Sequence, residues 1–115
     1  MKKEKNLLEE VREHWEEEVC GTRNIINKDV DYKSHEDVSE HRYAVEPHIS
    51  EFLDFRADKH QDIALEIGVG AGSDFIQICK QCKHAYGIDL TEAAINLTKE
   101  RCDLEGLNNL TLQRV

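Results

Sequence analysis

Ile63-Ala64-Leu65-Glu66-Ile67 runs directly into Gly68-Val69-Gly70-Ala71-Gly72, and this stretch decides the fold. The apolar run is short, is preceded by charged residues and ends on a glycine cluster, which predicts a strand buried on both faces. Phe75, Ile76, Ile78 and Cys79 then mark a helix, and Ala85-Tyr86-Gly87-Ile88-Asp89 reads as a second strand. The order strand, glycine turn, helix, strand is that of a parallel α/β unit.

The same reading extends in both directions. Thr91 is a good N-cap for a helix carrying Ile95, Thr98 and Cys102 that stops near Gly106, after which Leu110 to Val115 alternates like a third strand. Toward the N-terminus, Leu8, Val11, Trp15 and Val19 recur every three or four residues, one apolar stripe on a helix that Gly21 would close. Thr22 to Glu40 is polar and aperiodic and is expected to be a long connector, of a length that suggests a functional lid. Pro47 suits a first helical turn, and Ile49, Phe52 and Leu53 follow at helical spacing. Residues 1–60 are therefore expected to form a helical cap and connector, and 61–115 the first part of a cofactor-binding domain.

Composition narrows the function. The chain has 115 residues, room for one ordinary domain, with 39% hydrophobic and 34% charged residues and apolar positions gathered in periodic runs. No stretch approaches the length of a membrane span and the polar start leads into no signal-type apolar core, so no membrane partner and a cytoplasmic location are expected. Cys20, Cys79, Cys82 and Cys102 are too sparse for a disulfide framework and read as free thiols. A net charge of -9 with no basic patch argues against a phosphate backbone, and the expectation is no nucleic-acid partner.

A glycine-rich turn between a buried strand and a helix lets backbone approach a ligand closely and aims free N–H groups at it. Gly68, Gly70 and Gly72 sit at that junction, and both they and Asp89 fall at carboxyl ends of adjacent strands, where a parallel sheet places its ligand crevice. The Asp89 carboxylate is an acceptor for ribose hydroxyls, so a nucleoside-containing cofactor follows. The spacing is Gly-x-Gly-x-Gly, with Ser73 where a dinucleotide fingerprint wants its last glycine or alanine, and Glu66 stands two residues before the first glycine. This points away from NAD.

Leu65-Glu66-Ile67-Gly68-Val69-Gly70-Ala71-Gly72 with Gly87-Ile88-Asp89-Leu90 resembles the first two motifs of class I S-adenosylmethionine-dependent methyltransferases. The resemblance implies a Rossmann-like α/β fold with S-adenosylmethionine as cofactor. By it, Gly68 and Gly70 line the methionyl part, Glu66 sits near the ammonium, Asp89 takes the ribose hydroxyls and Leu90 lies against the adenine. Val11-Arg12-Glu13-His14-Trp15 through Cys20-Gly21-Thr22, and His41-Arg42-Tyr43 through Pro47-His48-Ile49, resemble the N-terminal cap of a small-molecule subgroup, which implies a small-molecule acceptor. The family pattern is a longer, seven-stranded sheet in which the first strand is central, whereas about three strands are legible here. The chain therefore reads as a truncated form, with a partner chain or self-association expected to complete the sheet. By the same pattern, the adenine-contacting acidic residue and much of the acceptor pocket would lie outside it.

Other features carry plainer readings. Cys79-x-x-Cys82 has no second pair and falls at a helix end, and the six histidines lack ligand spacing, so no metal is assigned. Val11, Trp15 and Val19 read as a core stripe, Glu16 to Glu18 as a solvated face and Arg42 as a solvated side chain. Transfer of a methyl group from a sulfonium has a neutral leaving group and needs mainly alignment of donor and acceptor, so no general base is named. The alternatives are a noncatalytic remnant and, behind it, a fragment of an NAD-dependent oxidoreductase.

Overall fold

The computed structural model describes residues 6–19, 32–54 and 58–115. Helices α1 (Leu7–Glu17), α2 (Tyr32–Val45) and α3 (His48–Leu53) precede β1 (Lys59–Ile67), α4 (Ser73–Gln81), β2 (Cys82–Asp89), α5 (Glu92–Leu104) and β3 (Leu110–Arg114). The three strands pair in parallel in the order β1-β2-β3. The fold is thus α/β with a three-stranded parallel sheet. Among the described residues, no helix is long and apolar enough to cross a membrane.

Local signals explain most of these boundaries. At α1, the Asn6 side chain accepts from the Glu9 N–H and the Glu9 carboxylate accepts from the Asn6 N–H, a reciprocal capping box. At α5, the Thr91 hydroxyl accepts from the Ala94 N–H, the predicted N-cap. Past its C-terminus, Gly106 takes a positive φ of 69°. Helix α1 ends earlier than the expected closure at Gly21: Glu18 is its C-cap, in extended backbone, and Cys20 to Thr22 lie outside the described residues, as does the part of the expected connector before residue 32.

The core forms where α4 and α5 pack on the sheet. Phe75, Ile76, Cys79, Ala85, Ile95 and Cys102 are buried there. Gly87 makes this packing possible: a Cβ at that position would lie 2.7 Å from Leu112 and Val69 and 2.8 Å from Phe75. Cys79, Cys82 and Cys102 are free and buried in this cluster. The Cys79 thiol shares a hydrogen bond with Cys102 and is desolvated, and both effects hold it above the ordinary thiol range. Such thiols pack as small apolar groups.

Three expectations change. First, β1 is buried on one face rather than two: Ala64 and Glu66 turn toward the helices, while Ile63, Leu65 and Ile67 are 65%, 61% and 76% exposed. The reason is that α4 and α5 contribute to one core on one side of the sheet, and a strand's side chains alternate between faces. Second, residues 32–40 are helical rather than a connector, because α2 buries a face that is only partly apolar. His35 and Val38 are buried and Ser39 and Arg42 are half-buried, at helical spacing, but a search for apolar periodicity sees only Val38. Third, α1 buries no residue, so its apolar stripe is not part of the core. Pro47 does open α3 as expected, at the N-cap, yet Phe52 is exposed and the short helix buries nothing.

Candidate functional site

The turn after β1 is held by backbone contacts that only glycines permit. Gly68, Gly70 and Gly72 take φ of 79°, 54° and 81°, a region that favours glycine. The Gly68 and Val69 N–H groups donate to the Ile88 carbonyl at 2.8 and 3.3 Å, and Gly72 N–H donates to Val69 at 2.9 Å. This pins the turn to the end of β2, where Asp89 stands. The three glycines nevertheless do different work. A Cβ on Gly68 or Gly70 would meet nothing within 4 Å, whereas one on Gly72 would lie 2.9 Å from the Thr98 hydroxyl and 3.1 Å from its methyl. Gly72 is a packing glycine; Gly68 and Gly70 leave open space in front of the backbone.

That space belongs to two adjoining cavities. One, of about 250 Å³, is lined by Glu66, the turn from Gly68 to Asp74, the α2 residues Val38, His41, Arg42 and Val45, and Glu46 just past that helix. The other, of about 310 Å³, is lined by Gly68, Gly70, Asp89, Leu90, Thr91 and Ala94, with Val11, Trp15 and Val19 forming its outer wall. The stripe of α1 therefore faces a cavity beside Asp89 and Leu90. The Glu16 carboxylate fixes α1 there, accepting from the N–H groups of Glu92 at 3.2 Å and Ala93 at 2.7 Å. These are otherwise orphan donors at the start of α5, so Glu16 is a cap supplied from a distant helix rather than part of a solvated face.

Glu66 enters the first cavity with its Oε2 buried and without a hydrogen-bond partner. Loss of water around it, then the nearby charge of Asp74, raise its pKa from 4.5 to about 8; Arg42 opposes the shift and Asp89 adds to it. The protonated form is thus favoured by folding. Glu66 stabilises the chain fully below its ordinary value of 4.5, and that contribution is lost as pH rises through about 8. Denaturant melts should show this decline between those limits, and a Glu66→Gln chain should lack it.

Beside Glu66, Arg42 is tied down: its Nη2 donates to Asp74 at 2.7 Å, Nε to the other carboxylate oxygen at 3.2 Å, and Nη1 to Glu46 at 3.3 Å. The hydrogen bond to Asp74 raises the guanidinium further above its ordinary value. Tyr43 donates its hydroxyl to Asp74 at 2.9 Å, and burial together with that carboxylate pushes the phenol up. The expected solvated Arg42 is therefore replaced by a two-pronged pair that seats α2 on the first turn of α4.

In the second cavity Asp89 already has donors. Its Oδ2 accepts from Gly70 N–H at 3.1 Å, and Oδ1 from the Thr91 N–H and hydroxyl at 3.0 and 3.1 Å. Three of about four lone-pair positions are used, so Asp89 can accept from a ligand hydroxyl at once and from a second when the Thr91 hydroxyl rotates away. Sequence reasoning did not single out Glu16, Asp74 or Arg101 for the site. Arg101 is 4% exposed and donates from Nη1 to the Ala71 carbonyl at 2.8 Å and to Ser73 at 3.1 Å. Nothing in its local sequence sets it apart from a solvated helix arginine.

No family model matches the chain. It is 26% identical over 96 residues to an uncharacterized RNA methyltransferase of Streptococcus agalactiae, a match covering 84% of this chain and 20% of the relative. It is 38% identical over 39 residues to a probable cobalt-precorrin-6B C(15)-methyltransferase (decarboxylating) of Methanocaldococcus jannaschii, covering 34% of this chain and 21% of that one. The chain thus spans about a fifth of the length of these curated relatives. Its fold is similar, with a TM-score of 0.63 and 16% identity over 99% of this chain and 48% of the other, to geranyl diphosphate C-methyltransferase from Streptomyces coelicolor, solved with Mg2+, geranyl diphosphate and S-adenosyl-L-homocysteine.

The expectation of no nucleic-acid partner is overturned by the streptococcal RNA methyltransferase. Net charge describes the far field of a whole surface, and the acidic stretch matched here is a fifth of that relative, so it does not decide where an acceptor is held. The curated relatives and structural neighbours of this chain are S-adenosylmethionine-dependent methyltransferases of the class I, Rossmann-like fold, the family that Leu65 to Gly72 and Gly87 to Leu90 resemble.

Proposed function

We propose that the chain binds S-adenosylmethionine across the two cavities and presents its methyl group to a small-molecule acceptor. The observation that carries this reading is the convergence of open-space glycines Gly68 and Gly70, the unpartnered Glu66 oxygen and Asp89 on adjoining cavities. The residues fit the cofactor in three ways. An unpartnered buried carboxylate suits an ammonium, a backbone without Cβ atoms suits a closely approaching thioether chain, and Asp89 has an acceptor position to spare for a ribose hydroxyl. Gly72 keeps the turn in place, and Leu90 offers apolar surface to the base. In this reading residues 1–60 are a cap and connector and 61–115 the first part of the cofactor domain. When bound, the cofactor supplies an electrophilic methyl group on a positively charged sulfur. The chain's part is to hold and orient it, with α1 and α2 walling it from water.

Glu66 gives the reading a pH signature. A ligand ammonium favours ionised Glu66, so affinity for S-adenosylhomocysteine, which keeps the ammonium, should rise as pH increases through about 8. Titrations across that range check it: in Glu66→Gln the rise should vanish, and a pH-independent affinity in the unaltered chain contradicts the assignment of Glu66 to the ammonium.

A second acceptor class, RNA, is favoured by the Streptococcus agalactiae relative. Methyl-labelled cofactor incubated with the chain and either total RNA or a small-molecule extract separates the two. Label in the small-molecule fraction supports the first reading and label in RNA the second. Cofactor binding with label in neither supports a chain that binds without transferring.

A further inference from the structure

Arg101 projects from α5 to the place where α2 meets the glycine turn, on the N-terminal side of the Arg42–Asp74 pair along α2. Its Nη1 holds the turn, through the Ala71 carbonyl at 2.8 Å and the Ser73 hydroxyl at 3.1 Å. Its Nη2 holds α2, through the Ser39 hydroxyl at 2.7 Å, and Ser39 in turn donates to Ser73 at 3.1 Å. All three acceptors are neutral, and burial lowers the guanidinium pKa, so this cation is kept at a desolvation cost that an ordinary packing residue would not carry. A planar fork with donors fixed in direction reaches three acceptors on two chain segments; a lysine ammonium at the end of a flexible stem does not.

We propose that Arg101 is a positioning residue that couples the α2 wall to the glycine turn and so shapes the cavity holding the amino-acid arm of the cofactor. This rests on the cofactor reading above. The two cavities divide the consequences. Val38, Arg42 and Val45 of α2 line only the first cavity, whereas Asp89, Leu90 and the α1 stripe line only the second. Loosening this part of α2, which Arg42 and Tyr43 still hold to Asp74, should therefore disturb recognition of the amino-acid arm and spare recognition of the adenosyl group.

The test compares two ligands on the full chain: S-adenosylhomocysteine, and methylthioadenosine, which keeps the adenosyl thioether but lacks the amino-acid arm. Arg101→Met is expected to weaken S-adenosylhomocysteine about tenfold, the scale of one charge-assisted hydrogen bond's contribution, with methylthioadenosine affected less than about twofold. Ser39→Ala, which removes the α2 end of the clamp together with the Ser39–Ser73 hydrogen bond and leaves Arg101 on the turn, should shift the same ratio in the same direction, and it carries the test if Arg101→Met does not fold. Equal weakening of both ligands shows a merely structural role and overturns the proposal. So does unchanged binding of both in a chain whose unaltered form binds them. If the unaltered chain binds neither, the cofactor reading itself fails and the positioning role falls with it.

Discussion

Asp89→Ala is expected to weaken binding of S-adenosylhomocysteine by at least about a hundredfold. Two hydrogen bonds from ribose hydroxyls to an ionised carboxylate contribute about 1.5–3 kcal/mol each, and about 1.4 kcal/mol is a tenfold change in affinity. The substitution also strands the Gly70 and Thr91 N–H groups that Asp89 now accepts. The turn should loosen as well, at a cost of about 1–3 kcal/mol for donors left unsatisfied. Asp89→Asn separates the two effects in part, since it keeps one oxygen for the Thr91 donors but turns its NH2 toward the Gly70 N–H. It should recover part of the stability and little of the affinity. Parallel denaturant melts and ligand titrations of both variants check this, and equal loss of stability and affinity in the two would assign Asp89 to the fold alone.

The second large effect distinguishes glycines that look alike in sequence. Gly72→Ala places a methyl group 2.9 Å from the fully buried Thr98, whose hydroxyl is engaged with the Gly70 carbonyl at 3.1 Å and cannot easily move aside. Left-handed backbone strain of about 1–2 kcal/mol adds to an overpacking cost of about 1–3 kcal/mol. In a domain of this size the melting temperature should fall by roughly 10 °C or more. Gly68→Ala has the same backbone strain but no clash, so it should keep more stability and instead lose ligand affinity, its methyl group pointing into open space beside Glu66. Thermal melts with ligand titrations test the contrast. A Gly68→Ala chain as unstable as Gly72→Ala, with its affinity intact, would contradict the division of roles.

The sequence was most legible where a local rule and the tertiary structure demand the same residue. Gly68 to Gly72 and Thr91 have that character: the turn needs positive φ and the helix needs a cap, whatever surrounds them. The strands were legible in kind but not in burial, because alternation of Ile63, Leu65 and Ile67 against Ala64 and Glu66 is visible only when one face is known to be covered. Helix α2 escaped because its inward face is held largely by hydrogen bonds of Ser39 and Arg42, which hydrophobic periodicity does not register. The α1 stripe was visible, yet spacing cannot say whether an apolar face meets a core or a cavity. Arg101 and Glu16 were illegible for a further reason. Each acts on a segment more than 60 residues away, Arg101 on Ser39 and Glu16 on the start of α5, and no local pattern encodes such a pairing.

Calorimetric titration of the purified chain with S-adenosylhomocysteine, with NAD in a parallel titration, tests the central claim most directly. Micromolar binding of S-adenosylhomocysteine and none of NAD is the expected result. A folded chain that binds NAD in preference, or that binds neither, would contradict the assignment of Glu66, Gly68, Gly70 and Asp89 to a cofactor site.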